Sequence, residues 1–318
     1  MNVAAPSLAD VRAARERIAP YVRRTPLVKL DVEAPQEIWL KLETLQPIGS
    51  FKIRGGANAM LTAPRERLAR GVYTASAGNM AQGVAYLARE LGVPCTVIVP
   101  DHAPRTKLAA VERLGARIVA VPFDRWWQVL VEHGHPEHDG LFVHPVSDPH
   151  VMAGNGTVAL EILDELPDVD AILVPYGGGG LSTGIAAAAR AIDPRVRIHP
   201  CEVETAAPLA ASRAAGRAVT IDYTPSFVDG IGGRSVLAEM WPLASTLLDD
   251  ALVVSLEEVA AAVRLLVERV RVVAEGAGAT PVAAALRGVP EATCVVCVVS
   301  GGNIDAEKLA GVLRGEIP

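Results

Sequence analysis

The chain has 318 residues, half of them hydrophobic and 21% charged, which is the composition of a folded protein large enough for two domains. Its 30 basic and 36 acidic side chains give a net charge of −6 without a basic tract, so no nucleic-acid partner is expected. Only 4% of the residues are aromatic, which leaves few rings for stacking on bases.

The four cysteines are too few and too irregularly spaced for a disulfide framework, which indicates a reducing, cytoplasmic compartment. Cys294 and Cys297 form a C-x-x-C pair within an apolar run. Residues three apart in a strand point to opposite faces, so we expect small core residues there rather than metal ligands. No apolar stretch precedes the first charges, and the longest uncharged window, 171–189, contains a proline and several glycines. We therefore expect neither a signal peptide nor a membrane partner.

Strand-like and helix-like segments alternate through most of the chain. Ser7, followed three residues later by Asp10, predicts the N-cap of an opening amphipathic helix. Runs of β-branched and aliphatic residues predict strands over 95–99, 117–121, 171–174 and 294–299. Apolar residues at three-and-four spacing predict helices over 81–91, 105–114, 151–166, 181–192 and 256–273. This alternation indicates an α/β fold with parallel sheets.

The segment 131–140 is polar and contains glycine and proline, which predicts a surface connection. It carries His133, His135 and His138, and histidine is a common metal ligand. Because no carboxylates accompany them at helical spacing, we expect solvated loop histidines and no metal site.

A glycine-rich string over 176–184 follows one predicted strand and opens the next helix. Successive backbone N–H groups at a helix N-terminus bind anions, and phosphate is the usual ligand. A plain strand-to-helix turn is the alternative, although four consecutive glycines cost more backbone entropy than a turn requires. The string matches neither a nucleotide P-loop nor a dinucleotide fingerprint. Its candidate phosphate-binding residues are Gly177, Gly178, Gly179, Gly180 and Leu181.

Three further strings carry candidate site residues. Lys52 lies in a largely uncharged stretch, and a lysine among apolar neighbours can form an imine with a carbonyl. Residues 76–79 lie where a strand passes into a helix, a place suited to a carboxylate ligand. Ser300, directly after the last predicted strand, offers a hydroxyl to a heteroaromatic nitrogen. Each string alone also fits a surface lysine, a cap or a turn, but together they describe a site for pyridoxal phosphate and an amino acid.

The motifs LETLQPIGSFKIRGG, SAGNMAQGVA, AGNGTVALEI, VPYGGGGLSTG, EGAGA and VSGGN follow one another along residues 13–305. In this order and spacing the chain resembles the fold-type II pyridoxal-phosphate enzymes, in the branch of threonine and serine dehydratases that also contains the serine racemases. The resemblance implies two domains, each a mainly parallel twisted sheet flanked by helices. It implies a large cofactor-binding domain over 1–65 and 148–318 and a small substrate-closing domain over 66–147.

The resemblance also implies a role for each matching position. Lys52 would be the Schiff-base lysine, with Phe51 beside the cofactor ring, Asn79 at the ring hydroxyl oxygen and Ser300 at the pyridine nitrogen. The glycine string would bind the phosphate. The substrate would contact Ser76, Ala77, Gly78 and Asn79. Glu275, in EGAGA, falls where dehydratases of the family carry an acidic residue near the cofactor.

The implied reaction is β-elimination from L-threonine or L-serine, which yields a 2-oxo acid and ammonia. The Lys52 amine would remove the Cα proton, and the neutral Ser300 would favour elimination over transamination. Alternatives are an ammonia-lyase for 3-hydroxyaspartate or another hydroxylated amino acid, a serine racemase, a β-replacement enzyme and a non-catalytic sensor of cofactor or amino acid. Homodimers are usual in the family, and we expect one here.

Two positions beside Asn79 depart from the family pattern. Met80 replaces a histidine that many dehydratases carry, which removes a polar group. Ala77 replaces the serine with which the racemases protonate the opposite face of the substrate, so racemisation should be minor.

Two other regions also depart from the pattern. The family's divalent-cation site would map to Glu202, the Ala206 backbone and position 208, but Pro208 supplies no carboxylate, so we expect no metal site. Trp126 and Trp127 lie in a segment unlike the usual dehydratase sequence, and we expect them to pack the small domain or a dimer contact.

Overall fold

The computed structural model describes residues 3–103 and 105–318, which form two sheets surrounded by helices. The strands of this described part are β1 Leu27–Lys29, β2 Glu37–Leu42, β3 Val72–Ala75, β4 Cys95–Pro100, β5 Arg117–Val121, β6 Leu141–Phe142, β7 Ala171–Pro175, β8 Arg197–Val203, β9 Leu252–Val254 and β10 Cys294–Val299. The helices are α1 Leu8–Ile18, α2 Lys52–Thr62, α3 Arg65–Ala69, α4 Asn79–Leu91, α5 Arg105–Arg113, α6 Phe123–Val131, α7 Pro149–Glu165, α8 Gly180–Ile192, α9 Pro208–Ala215, α10 Trp241–Leu247, α11 Leu256–Leu265, α12 Gly276–Arg287 and α13 Ala306–Leu313.

The larger sheet has six strands in the order β1-β2-β10-β7-β8-β9, of which β1 pairs antiparallel with β2 and the others pair in parallel. The smaller sheet has four parallel strands in the order β5-β4-β3-β6. The predicted class, α/β with mainly parallel sheets, is confirmed. The strands of the smaller sheet come from residues 72–142, within the predicted small domain, while the exact division of the chain into domains stays a prediction.

The larger sheet is apolar on both faces because helices cover both. Successive residues of β10 point alternately into two different cores: Val295, Cys297 and Val299 into one, Val296 and Val298 into the other. A third core fills the space between the smaller sheet and α4. No helix among the described residues is both long and apolar enough to cross a membrane.

The structure confirms the predicted N-cap of α1 and corrects the predicted helix over 256–273. The Ser7 hydroxyl accepts the Asp10 N–H, and the Asp10 carboxylate accepts the Ser7 N–H. Helix α11 ends at Leu265 and passes into a π-helical turn, which Arg271 ends with a φ of 62°. A left-handed residue cannot continue a helix, and the chain turns back there toward the start of α12. All four cysteines are unpaired, with Cys297 fully buried.

A buried cluster of four charged side chains joins α2 and α7 to the larger sheet. Arg54 of α2 binds both oxygens of Glu43 at 2.7 and 2.8 Å and both oxygens of Glu161 at 2.7 and 2.9 Å. Lys41 of β2 binds Glu161 at 2.6 Å. Burial opposes ionisation of Glu161, but Arg54 and Lys41 outweigh it and hold the pKa of its carboxyl below the usual value. Two cations and two anions therefore compensate one another in the interior.

Replacing Arg54 with methionine should reduce the free energy of unfolding by about 3–5 kcal/mol, because it leaves the buried carboxylate of Glu43 without a cation and Glu161 with Lys41 alone. The matched control is Arg24→Met, which breaks a surface pair with Glu165 of the same helix α7, where the side chains are 53% and 36% exposed. That change should cost less than about 1 kcal/mol. Denaturant unfolding measures both, and equal losses would contradict the role assigned to the cluster.

Candidate active site

A cavity of about 460 Å³ opens at the carboxyl ends of β3, β4, β7 and β10, which is where α/β proteins bind ligands. Its wall brings together all the residues predicted to bind cofactor or substrate: Phe51, Lys52, Ser76, Ala77, Gly78, Asn79, Gly177, Gly178, Gly179, Gly180, Leu181, Ser300 and the acidic Glu275. The individual roles of these residues stay predictions.

Lys52 is the first residue of α2, and its side chain lines the cavity. The Nζ atom donates a hydrogen bond to the backbone oxygen of Pro145 at 3.0 Å and lies 5.1 Å from the centre of the Phe51 ring. Burial lowers the pKa of this amine to about 8, while the nearby carboxylate of Glu275 opposes the shift. More of this amine is therefore neutral near physiological pH than of a solvated lysine.

The glycine string forms a loop between β7 and α8. The backbone N–H groups of residues 177–181 have no acceptor among the described residues, and the loop ends at the N-terminus of α8. Gly179 has a φ of +95°, a conformation that favours glycine, with the Tyr176 ring beneath it. Free N–H groups at a helix start form a site for a phosphate.

Asn79 is held by hydrogen bonds on both sides of its amide. Its Nδ2 donates to Glu275 Oε1 at 2.8 Å, and its Oδ1 accepts from Asn303 Nδ2 at 2.7 Å. Asn303 also donates to the backbone oxygen of Ile48 at 2.9 Å. The second N–H of Asn79 remains for a ligand oxygen. The sequence did not single out Asn303 as a site residue.

Residues 76–79 lead from β3 into α4, which begins at Asn79. The Ser76 hydroxyl accepts the Gly78 N–H at 3.2 Å, and Gly78 stands at the N-cap without a side chain to cap the helix. The N–H groups of Asn79, Met80 and Ala81 have no acceptor within the described part of the chain. This helix start is therefore suited to a carboxylate.

Ser300 connects the end of β10 to the segment that carries Lys52. It is buried at 3% exposure, lines the cavity, and accepts the Phe51 N–H on its backbone oxygen at 2.9 Å. Its neutral hydroxyl is available as the partner of a ring nitrogen.

The resemblance assigns Glu202 to the family's cation site, and in the structure both of its carboxylate oxygens accept hydrogen bonds from the start of a helix. They accept the N–H groups of Leu209 and Ala210, both at 2.8 Å, at the first turn of α9. Pro208 is the first residue of this helix and offers no oxygen from its side chain. Burial raises the pKa of the Glu202 carboxyl to about 7, against the opposing effect of the two N–H groups. The residues present do not fit the family's cation site.

Aromatic side chains also line the cavity. Trp126 packs against the smaller sheet, as expected, but it also lines the cavity together with His102, Phe123 and Tyr223, none of which the sequence indicated. Trp127 is 40% exposed. These residues come from separate segments, and no local motif marks them.

The three loop histidines do not gather into one cluster. All three are partly buried, contrary to the expectation of solvated side chains, and the ring of His133 stacks on His144 with centres 4.4 Å apart. Both lie near Glu239. His135 and His138 pack beside one another, and His138 contacts Tyr73.

The cavity fits pyridoxal phosphate. Unpaired N–H groups suit its phosphate, the Lys52 amine suits its carbonyl, and Asn79 and Ser300 suit its ring oxygen and nitrogen. A family model described as pyridoxal-phosphate dependent enzyme matches residues 18–301. The chain belongs to this family. The enzyme therefore uses pyridoxal phosphate as its cofactor.

Relatives of the enzyme cover most of its length. An L-threonine ammonia-lyase of Geobacter sulfurreducens is 44% identical, covering 96% of this chain and 77% of the relative. The solved structure of maize serine racemase matches with a TM-score of 0.91 and 33% identity, covering 98% of both chains. A solved T.th. threonine deaminase matches with a TM-score of 0.87 and 36% identity, covering 94% of this chain and 99% of the other. The fold of the enzyme is thus that of fold-type II members.

Two N–H groups of α9 already donate to the Glu202 carboxylate. We therefore expect that neither Mg²⁺ nor Ca²⁺ raises the melting temperature of the EDTA-treated enzyme. An ion there would have one carboxylate, which already accepts two N–H groups at the positive end of α9, and no second carboxylate, since Pro208 supplies none. Added pyridoxal phosphate serves as the positive control, since a ligand that binds the folded state raises the melting temperature. A saturable rise with either cation would show that the site still binds metal.

Proposed function

We propose that the enzyme deaminates L-threonine and L-serine to a 2-oxo acid and ammonia. The observation that carries this proposal is the placement of one partly neutral lysine, Lys52, in a cavity that also offers two helix starts for anions. Relatives named L-threonine ammonia-lyase support the choice of reaction.

The bound cofactor supplies an electron sink for the electron pair left at the substrate's Cα. We assign its phosphate to the loop Gly177–Leu181, its ring oxygen to Asn79 and its ring nitrogen to Ser300, with Phe51 beside the ring. Glu275 and Asn303 fix the orientation of the Asn79 amide. Ser300 is a neutral partner, so it does not hold a proton on the ring nitrogen as a carboxylate would, which favours elimination.

The chain's own residues bind the substrate and move its proton. Residues 76–79 bind the α-carboxylate through the free N–H groups at the start of α4. Lys52 Nζ takes the Cα proton, and its lowered pKa keeps part of the amine in the neutral form that can accept it. The aromatic residues that line the cavity, Trp126, Phe123 and Tyr223, help to exclude water when the cavity closes.

Racemisation is the second candidate, because serine racemases are among the relatives and the structural neighbours. Racemisation requires a proton donor on the face opposite Lys52. Ala77 has no hydroxyl at the position where we expect that donor. We therefore propose elimination as the main reaction.

The proposal also covers the domain division, the oligomeric state and the cellular location of the enzyme. We propose a cofactor domain over 1–65 and 148–318, a closing domain over 66–147, a homodimer, and a cytoplasmic location. The separate smaller sheet supports the division into domains, and four unpaired cysteines are in keeping with a reducing compartment.

Purified enzyme loaded with pyridoxal phosphate should release 2-oxo acid from L-threonine and L-serine, and Lys52→Ala should reduce this rate at least about a hundredfold, since it removes the base. The assay follows the oxo acid and D-serine together, with 3-hydroxyaspartate as a third substrate. D-serine as the main product would favour a racemase, and cofactor binding without any product would favour a sensor.

Turnover should rise with pH as Lys52 loses its proton and level off above about 8. Glu275→Gln keeps an oxygen for Asn79 but removes the negative charge that favours the ammonium form, so the midpoint should move to lower pH. The measurement is the pH profile of kcat for both proteins. A midpoint that stays in place or rises would contradict this coupling.

A further inference from the structure

Residues 144–147, here called the connecting turn, lead from the smaller sheet to α7. They contact both Lys52 and the glycine loop. The backbone oxygen of Pro145 accepts the hydrogen bond from Lys52 Nζ at 3.0 Å. Val146 packs against the glycine loop: a side chain at Gly178 would collide with the Val146 side chain, and a Cβ at Gly180 would lie 2.7 Å from the Val146 oxygen. The connecting turn therefore sets the distance between the lysine and the phosphate loop.

The ring of His144 determines the shape of this turn. Its Nδ1 accepts the backbone N–H groups of Val146 at 3.1 Å and Ser147 at 2.8 Å. The ring is buried, and its protonated nitrogen faces the backbone of Leu130. Burial lowers the pKa of His144 to about 3, and the nearby His133 and Lys52 contribute in the same direction. The imidazole is thus neutral at physiological pH, as an acceptor of two N–H groups must be.

Two contacts fasten the connecting turn to its surroundings. Ser147 Oγ donates to Glu239 Oε1 at 3.1 Å, from the segment before α10. The His133 ring stacks on His144, and its Nε2 lies 3.8 Å from the same Glu239 oxygen. The segment after α6 and the segment before α10 therefore both hold this turn.

The same cluster is not arranged to bind a metal ion. His133, His144 and Glu239 offer ligand atoms within 4.8 Å of one another. However, two backbone N–H groups already use the lone pair of His144 Nδ1. The two rings are also nearly parallel, at 17°, so their in-plane lone pairs run side by side and do not converge on one ion.

We propose, on the basis of the role proposed above for Lys52, that His144 is a positioning residue for this lysine. Its neutral ring nitrogen shapes the connecting turn, and the turn keeps the Pro145 oxygen against the Lys52 amine and Val146 against the glycine loop. His144 touches neither cofactor nor substrate and acts through the backbone.

The test compares two amides of similar polarity at this position. In His144→Asn the side-chain oxygen lies where Nδ1 lies now, and it can accept the same two N–H groups as an Asx turn does. In His144→Gln the oxygen is one bond further from the backbone, so the turn loses its acceptor. Asparagine should therefore preserve the position of Pro145, and glutamine should not. His150→Asn, on an exposed histidine six residues away, is the control.

The first readout is the pKa of the Lys52 amine in the cofactor-free protein, followed by NMR after reductive methylation with isotope-labelled formaldehyde. The chain has five lysines, and Lys52→Arg assigns the signal. Loss of the carbonyl partner destabilises the ammonium form, so His144→Gln should lower this pKa by about one unit, a tenfold change in the acid dissociation constant. His144→Asn and His150→Asn should leave it near the wild-type value.

The second readout is turnover by the holoenzyme. His144→Gln should reduce kcat about tenfold to a hundredfold while KM stays close to the wild-type value, because residues 76–79 still bind the substrate carboxylate. His144→Asn should retain most of the activity.

Equal behaviour of the two variants, or a His144→Asn protein that does not fold, would overturn the proposal. If His144→Gln does not fold, Ser147→Ala, which cuts the tether to Glu239, should lower the pKa of Lys52 in the same direction, and no shift would overturn it. The amine readout needs no catalysis. A wild-type enzyme that deaminates no amino acid would therefore refute the proposed function separately from the positioning role of His144.

Discussion

The geometry of the cavity depends on how firmly α2 is fixed, because Lys52 is its first residue. Arg54, two positions further on, is fully buried and binds the carboxylates of Glu43 and Glu161, which belong to segments on either side of the helix. The hydrogen bonds of the guanidinium to the two carboxylates form only in a narrow range of geometries, and a buried charge without its partner is very costly. The cluster therefore permits essentially one arrangement of α2 against β2 and α7. A purely apolar contact would allow the helix to slide by a fraction of a turn and would move the amine with it.

Close backbone packing extends this constraint from α2 to the phosphate loop. A side chain at Gly154 of α7 would collide with the backbone of Arg54, and a Cβ at Gly156 would lie 2.7 Å from the backbone oxygen of Gly184 in α8. Helix α7 therefore contacts α2 on one side and α8 on the other at backbone distance. Since α8 begins at the glycine loop, the lysine and the phosphate loop are held by three helices in direct contact.

Local sequence signals predicted the fold class, most elements, Lys52, residues 76–79, the glycine string and Ser300, because hydrophobic period and glycine strings act over a few neighbouring positions. Phe51 and Glu275 were predicted from the family resemblance. The local signals did not predict contacts between distant segments. Arg54 binds Glu161 across 107 positions, and Asn303 binds Asn79 across 224. The aromatic part of the cavity wall and the partial burial of His133 were missed for the same reason. The end of the π-helical turn that follows α11 depends on one left-handed residue, Arg271, and no glycine marks this position in the sequence.

The two helix starts that we propose as anion sites follow strands of different sheets. The start of α4 follows β3 of the smaller sheet, and the start of α8 follows β7 of the larger one. Each presents N–H groups without acceptors among the described residues, and each carries the positive end of a helix dipole. Under the proposed function, a substrate carboxylate at one end and a cofactor phosphate at the other would neutralise both. Substrate and cofactor bound in this way would each place a negative charge against a different sheet, and this is how the proposed function would couple binding to closure of the cavity.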